Sequence, residues 1–312
     1  MLSLVIPVYN EEKSLAPLYQ EINTTLGKGS REAEMILVDD GSTDSSWAEI
    51  AKLARADSRV RGIRFRRNFG KAAALSAGFA DVRGEVVITL DADLQDNPAE
   101  IPKLLAKLHE GFDLVNGWKK VRLDPWHKII PSRVFNWMIR VVSGLNLHDH
   151  NCGLKCCRTE VVKEIRLYGE LHRFITLLAH ARGFRVTELE VQHRERIYGK
   201  SKYGARRFVK GLLDLLTVHV LTAFGERPLH LLGVIGLLAF VGGCLGLAYL
   251  AWLWMLGYRP IGNRPILIYS VASLLLGAQM LTVGILAELI ISRLGSGTEN
   301  GFGYSVAERT GG

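Results

Sequence analysis

Two stretches without a single charged residue, 231–256 and 265–287, constrain this chain more than any other feature. Each is long enough to cross a hydrocarbon core of about 30 Å as one helix. They also account for a composition that is 48% hydrophobic and a mean hydropathy of +0.13. The expectation is a transmembrane hairpin over 230–292 whose short polar connection holds Arg259 and Arg264. Positive charge is denser on the outer flanks, at Arg206, Arg207, Lys210 and Arg227 before the first span and at Arg293 after the second. By the positive-inside bias both ends of the hairpin then face the cytoplasm. Residues 293–312, rich in glycine and polar side chains, read as a flexible tail.

The segment 204–229 repeats apolar residues at helical spacing beside Arg206, Arg207 and Lys210, the pattern of amphipathic helices lying in a membrane interface. Much of the net charge of +8 gathers just before the first span, with Arg194, Arg196, Lys200 and Lys202 adding to it. Such a cluster suits anionic headgroups and phosphate ligands, and no block of like charge resembles a nucleic-acid-binding arm. Cys152, Cys156, Cys157 and Cys244 fit neither a disulfide framework nor the spacing of a zinc site. The chain opens directly on an apolar run without a basic leader, so the first domain is expected to stay in the cytoplasm.

Residues 1–203 read as that domain, built on alternation. Short β-branched runs at 2–8, 34–38, 60–65 and 86–90 are separated by helical stretches at 11–26, from a cap at Ser42 or Thr43 to about 56, and at 71–80. Strand and helix in succession predict a parallel α/β sheet with helices on both faces. Further helices are expected at 131–142 and at 159–165, the second capped by Thr159, and the polar stretch 117–127 reads as a lid. In open sheets of this kind ligands bind beyond the carboxyl ends of the strands, where each of these runs meets polar residues.

Asp91-Ala92-Asp93 follows the fourth run, and positions i and i+2 of a strand can offer two carboxylates to one cation. Gln95 adds a third oxygen, and an all-oxygen set favours Mg²⁺ or Mn²⁺. The same residues could equally be a polar turn capping the next helix. Asp39-Asp40-Gly41-Ser42-Thr43-Asp44 follows the second run, where a carboxylate can accept from a base or ribose, or only cap a helix. Pro7-Val8-Tyr9-Asn10-Glu11 puts an aromatic ring and a carboxylate at the same edge. Asn68-Phe69-Gly70-Lys71 sets a cation at a helix start, where free N–H groups favour phosphate, although Lys71 could also be a solvated surface lysine.

With this ordered set the chain resembles family 2 glycosyltransferases of the polyprenyl-phosphate group, similar to dolichol-phosphate mannose synthases and bacterial undecaprenyl-phosphate sugar transferases. The resemblance covers nearly the whole chain. It rests on P-V-Y-N-E at 7–11, D-D-G-S-T-D at 39–44, N-F-G-K at 68–71, D-A-D-L-Q at 91–95, R-I-Y-G-K-S-K-Y at 196–203 and the two apolar spans. It implies a glycosyltransferase-A fold, Rossmann-like and mostly parallel, followed by the interfacial helices and the hairpin.

The resemblance also implies roles. Pro7, Tyr9, Glu11 and Asp40 would hold the nucleoside of a UDP- or GDP-sugar, with Lys71 and Asp91 on the same donor. Asp91, Asp93 and Gln95 would hold the metal and diphosphate, Asp93 serving catalysis together with Arg196 and Lys202, which close over the phosphates. His172 and Arg173, in a stretch similar to the family's H-R-F-I, would meet the phosphate of a polyprenyl acceptor, although Thr176 stands where the family often has proline; Lys119, Arg122 and Arg133 fit only the general expectation of basic groups near that phosphate. Inversion at the anomeric carbon is expected from the resemblance. A homo-oligomer is expected from it too, and from Gly233, Gly236, Gly242, Gly243 and Gly246 in the first span.

A phosphate monoester with a second pKa of about 6 is already dianionic at neutral pH, so such a transfer needs no protein base. A processive polysaccharide synthase is disfavoured by the lack of a Q-x-x-R-W run, and an NAD-dependent oxidoreductase by the lack of G-x-G-x-x-G after the first strand. A catalytically silent sugar-nucleotide sensor would retain the fold, but the intact Asp91, Asp93 and Gln95 argue against it.

Overall fold

The computed structural model describes residues 1–27, 33–120, 136, 138–141, 144–194, 228–258 and 260–295. The chain divides near residue 218 into two units. The first is built on seven strands: β1 (Leu2–Val8), β2 (Ala33–Asp39), β3 (Val60–Arg64), β4 (Val86–Thr89), β5 (Leu114–Trp118), β6 (Lys155–Arg158) and β7 (Val186–Glu190). They form one sheet in the order β3-β2-β1-β4-β6-β5-β7, with β6 antiparallel to both neighbours and every other pair parallel.

The helices beside this sheet are α1 (Leu15–Leu26), α2 (Ser46–Ala56), α3 (Lys71–Ala80), α4 (Ile101–His109), α5 (Thr159–Glu164) and α6 (Ile175–Ala181). Because both faces are covered, β1 and β2 are almost continuously apolar and buried. Their alternation divides the core in two. Leu4 and Ile6 pack with Leu15, Leu18, Ile22 and Leu104, while Val5 packs on the other face with Ala74, Leu75 and Phe79.

The order around β1 positions the site. The chain leaves β1 toward β2 and β3, then returns to pair β4 on the opposite side, which opens a crevice beyond the carboxyl ends of β1 and β4. Since β6 runs the other way, the segment leading into it, 149–154, arrives at that same edge.

Several element starts differ from the sequence expectation for a common reason. Helix α1 begins at Leu15, not at 11, because the N–H groups of Asn10, Glu11 and Glu12 donate to Ser42 Oγ (2.9 Å), Ser46 Oγ (2.8 Å) and Asp44 Oδ2 (3.2 Å). Ser42 and Thr43 therefore do not cap α2, which starts at Ser46. The N–H of Thr43 donates instead to Asn10 Oδ1 (2.8 Å). Thr159 opens α5 without capping it, its hydroxyl donating to Gly84 O. Gly117 and Trp118, expected in a lid, pair with Leu189 and Glu190 of β7; residues 121–127 of that lid lie outside the described residues.

The second unit is a hairpin of α7 (Pro228–Met255) and α8 (Pro265–Gly295), both long and apolar enough to cross a membrane. Their backbones approach closely. A Cβ on Gly243 would lie 2.6 Å from Leu274 N, and one on Gly236 would lie 3.0 Å from Gly277 O. Ser273 Oγ donates to Ala239 O (2.8 Å), and Glu288 Oε2 accepts from Leu229 N–H (3.3 Å), meeting a free donor in the first turn of α7. Gly236, Gly243 and Gly246 are thus occupied inside the hairpin, while Leu238 and Ile268 face outward. The hairpin starts before 230 and continues past 292. Of the expected interfacial helices, 204–227 lie outside the described residues.

A half-buried polar lock ties α1 to the turn before β3. Asp57 accepts from the Arg59 guanidinium (2.6 Å) and from the Tyr19 hydroxyl (2.8 Å), and Arg59 also donates to Asn23 Oδ1 (2.6 Å). The Arg59 hydrogen bonds, against some opposing burial, hold the Asp57 carboxyl well below the usual range. Asp57→Ala is expected to lower stability by about 2 kcal/mol, the scale of losing charged hydrogen bonds. A carboxyl depressed on folding stabilises above its unfolded pKa of about 3.9, and that contribution disappears as pH falls through the folded value. Thermal unfolding in detergent checks this: the Tm difference between wild type and variant should be full near neutrality and shrink in acid.

Candidate active site

The D-A-D-L-Q segment leaves β4 with its side chains alternating. Ala92 and Leu94 are buried in the core, while Asp91, Asp93 and Gln95 remain partly exposed. Leu94 holds this arrangement at φ +64°, and Asn10 after β1 sits at φ +57°. For residues with a Cβ this backbone costs roughly 1–2 kcal/mol, and among the described residues these are the non-glycine positions that adopt it. Both stand at the carboxyl edge, where strain of this kind accompanies function.

Two lysines meet the carboxylates. Lys71 Nζ is ion-paired with Asp91 Oδ1, and Lys119 Nζ lies 2.8 Å from Asp96 Oδ1. Burial alone would raise the Asp91 carboxyl, but Lys71, then Lys119 and His172, hold it down at about 2. Burial likewise opposes the charge on Lys119, yet Asp96 keeps its ammonium well above the usual lysine range. Asp93 Oδ1 accepts from Gln95 N–H (3.2 Å). Asp96 Oδ2 is buried and has no hydrogen-bond partner among the described residues.

The placement of Lys71 begins two strands away. Asp40, just beyond β2, is buried and accepts from Phe69 N–H (2.7 Å) and Gly70 N–H (3.0 Å). Burial pushes its carboxyl up despite those two donors. By holding this loop Asp40 sets where α3 starts, and hence where Lys71 reaches.

The opposite wall is the segment leading into β6. Lys155 is buried, and its ammonium donates to Asn116 Oδ1 (2.7 Å), His150 O (3.3 Å) and Cys152 O. Asn116 Nδ2 adds a bond to Asp149 O, and Thr89 Oγ1 donates to Gly153 O (2.7 Å). Burial lowers the Lys155 ammonium and brings His150 down to about 4. The wall then touches the carboxylates at one point. A Cβ on Gly153 would stand 2.5 Å from Asp91 Oδ2 and 2.7 Å from Asp96 Oδ2, so only glycine lets the backbone come this close.

The structure thus brings together Lys71, Asp91, Asp93, Gln95 and Lys119, with His172 near enough to act on Asp91. Pro7, Tyr9 and Glu11 follow the same edge at the end of β1. Arg173 pairs with Glu170 (2.9 Å), and Arg122, Arg133, Arg196 and Lys202 lie outside the described residues. Sequence reasoning passed over Asp96, Asn116, Gly153 and Lys155. Asp96 stood one position past the motif, whereas the others belong to segments without a recognisable pattern. It also passed over an open surface groove lined by Gly41, Ser42, Thr43, Arg64, Phe65 and Arg66. Asp39 adjoins it, buried, accepting from Ser42 N–H (2.9 Å) and lying 3.5 Å from Arg64 Nε.

The donor set of Asp91, Asp93 and Gln95 is all oxygen, as a hard divalent cation requires, and beside it Asp96 Oδ2 is buried without a hydrogen-bond partner among the described residues. Among the described residues no three His, Cys, Asp or Glu groups form a preformed cage. This suits an ion such as Mg²⁺, which takes one or two carboxylates and completes its shell with phosphate and water.

Residues 3–166 match the family described as Glycosyl transferase family 2. The chain belongs to this family. Among relatives of this glycosyltransferase, a dodecaprenyl-phosphate galacturonate synthase from Rhizobium johnstonii is 39% identical over 294 residues, 93% of this chain and 87% of that protein. An undecaprenyl-phosphate 4-deoxy-4-formamido-L-arabinose transferase from Salmonella choleraesuis is 37% identical, over 92% of this chain and 87% of its own. Among solved structures, glucosyl-3-phosphoglycerate synthase from Mycobacterium tuberculosis, in complex with Mn²⁺, UDP-glucose and phosphoglyceric acid, superposes with a TM-score of 0.53 at 21% identity. The match covers 70% of this chain and 80% of that one. That likeness concerns the fold, which is of the glycosyltransferase-A type.

Gly153→Ala is expected to cut transferase turnover by about a hundredfold, the scale of displacing reacting groups by an ångström. The variant's Tm should stay near that of wild type, and comparing initial rates with unfolding midpoints checks it.

Proposed function

We propose that this glycosyltransferase moves a sugar from a nucleoside-diphosphate donor to a polyprenyl phosphate at the cytoplasmic face of a membrane. The observation that carries this reading is the presence in one chain of the lysine-compensated carboxylate edge and a membrane hairpin. Relatives named for polyprenyl-phosphate substrates, matching along nine-tenths of the chain, support it.

The groove lined by Gly41–Thr43 and Arg64–Arg66 takes the nucleoside, held by Pro7, Tyr9 and Glu11 on the adjoining end of β1 and by Asp40, which also grips the loop before α3. The first turn of α3 and Lys71 receive the diphosphate. Asp91, Asp93 and Gln95 would hold Mg²⁺ or Mn²⁺, which when bound neutralises the departing nucleoside diphosphate. His172 and Arg173 belong to the acceptor side by resemblance, and Lys119, Arg122 and Arg133 as basic groups suited to a lipid phosphate. Arg196 and Lys202 close over the phosphates in the same reading.

The acceptor phosphate is its own nucleophile. One of its oxygens bonds to the anomeric carbon as the bond from that carbon to the donor's β-phosphate oxygen breaks, with inversion. The protein's task is to bring two anions together in line, through positioned cations. Meeting a lipid headgroup explains why the catalytic domain is tied to a hairpin with both ends cytoplasmic. Self-association, if it uses the hairpin, falls to its outward faces.

Membranes carrying the protein, given polyprenyl phosphate and a panel of radiolabelled UDP- and GDP-sugars, are expected to form a labelled lipid with one donor. Asp93→Ala should abolish it. Donor binding without transfer by wild type would overturn the reading in favour of a sensor.

A further inference from the structure

Lys71 is the first residue of α3, and its ammonium is spent on Asp91, a carboxylate proposed above as a metal ligand. An ammonium and a divalent cation repel each other strongly in a partly desolvated site, so on Asp91 they are alternatives. The ammonium can move: the Lys71 side chain is 33% exposed, on a flexible four-carbon stem. Its other destination is close by. An anion docked on the free N–H groups of the first turn of α3 lies against the residue that carries the ammonium.

The neighbouring charges favour such a change of partner. Asp91, Asp93 and Asp96 face two lysines, Lys71 and Lys119, and Lys119 is already committed to Asp96. Asp96 is 1% exposed, and its Oδ2 has no hydrogen-bond partner among the described residues.

We propose that Lys71 is an exchangeable counterion, neutralising Asp91 in the empty site and passing to the donor diphosphate when a divalent cation takes that carboxylate. This rests on the metal and diphosphate roles assigned under the proposed function. Its consequence is a coupling: the cation frees the lysine that the diphosphate needs, and the diphosphate draws off the lysine that blocks the cation. Direct chelation of the cation by the diphosphate would also make the two bind cooperatively. The distinguishing sign is therefore the affinity of the cation alone, which the lysine should weaken.

The test is Mn²⁺ binding to the full-length protein in lipid nanodiscs, read from the electron paramagnetic resonance signal of the free ion, with and without UDP or GDP. Lys71→Met and Lys71→Gln are expected to bind Mn²⁺ alone about tenfold more tightly than wild type, and to lose most of the enhancement by nucleotide. Lys71→Arg, which keeps the charge, should behave as wild type. Unfolding midpoints verify that the variants are folded. Mn²⁺ binding to either uncharged variant no tighter than to wild type overturns the exchange. Wild type that binds no Mn²⁺ with either nucleotide overturns the metal reading itself, and the exchange with it.

Discussion

Carboxylates gathered on one sheet edge repel one another, and the architecture around Asp91, Asp93 and Asp96 can be understood as the means of holding them there. Among the described residues, compensation comes from two lysines on different elements, Lys71 at the start of α3 and Lys119 just past β5. Neither lysine is placed by local sequence alone. Lys71 depends on the loop that Asp40 grips through two backbone N–H groups, and Lys119 depends on β5 pairing with β7. The charge balance of the site is thus built into the order of the strands.

Backbone rather than side chain forms the other side of the cleft. Because β6 runs against its neighbours, the segment before it reaches the carboxyl edge, where Gly153 lies against Asp91 and Asp96. A buried ammonium would be a poor choice merely to fill space, since its desolvation is costly. On Lys155 it binds three neutral oxygens from two segments, and so converts a loop into a wall.

The α/β alternation, the hairpin and the acidic motifs were legible in the sequence because each is a local pattern. Short, nearly continuous apolar runs mark β1, β2 and β4, and the charge-free stretches mark α7 and α8. The starts of α1 and α2 were misplaced because hydroxyls that normally cap their own helix bond instead to the turn after β1, more than thirty residues away. The reversed direction of β6, the spacer role of Gly153 and the lock around Lys155 were not legible for the same reason. Each is a contact between distant segments, and a glycine or lysine carries no mark of it. Asp40, expected from the resemblance to hold the nucleoside, also accepts N–H bonds from Phe69 and Gly70, a role in placing α3 that its motif does not reveal.

Membership of the glycosyltransferase family accounts for the catalytic unit, and the hairpin distinguishes this chain from an enzyme with two soluble substrates. On the proposed function, the acidic edge is where a donor diphosphate and a divalent cation meet. The most direct measurement is a structure of the full-length protein with Mn²⁺ and the nucleoside diphosphate it binds, the ion located by anomalous scattering. Mn²⁺ is expected on Asp91 and Asp93, the diphosphate on the first turn of α3, and Lys71 moved from Asp91 to a phosphate oxygen. An ion bound elsewhere, or a diphosphate seated away from α3 with Lys71 still on Asp91, would contradict that reading.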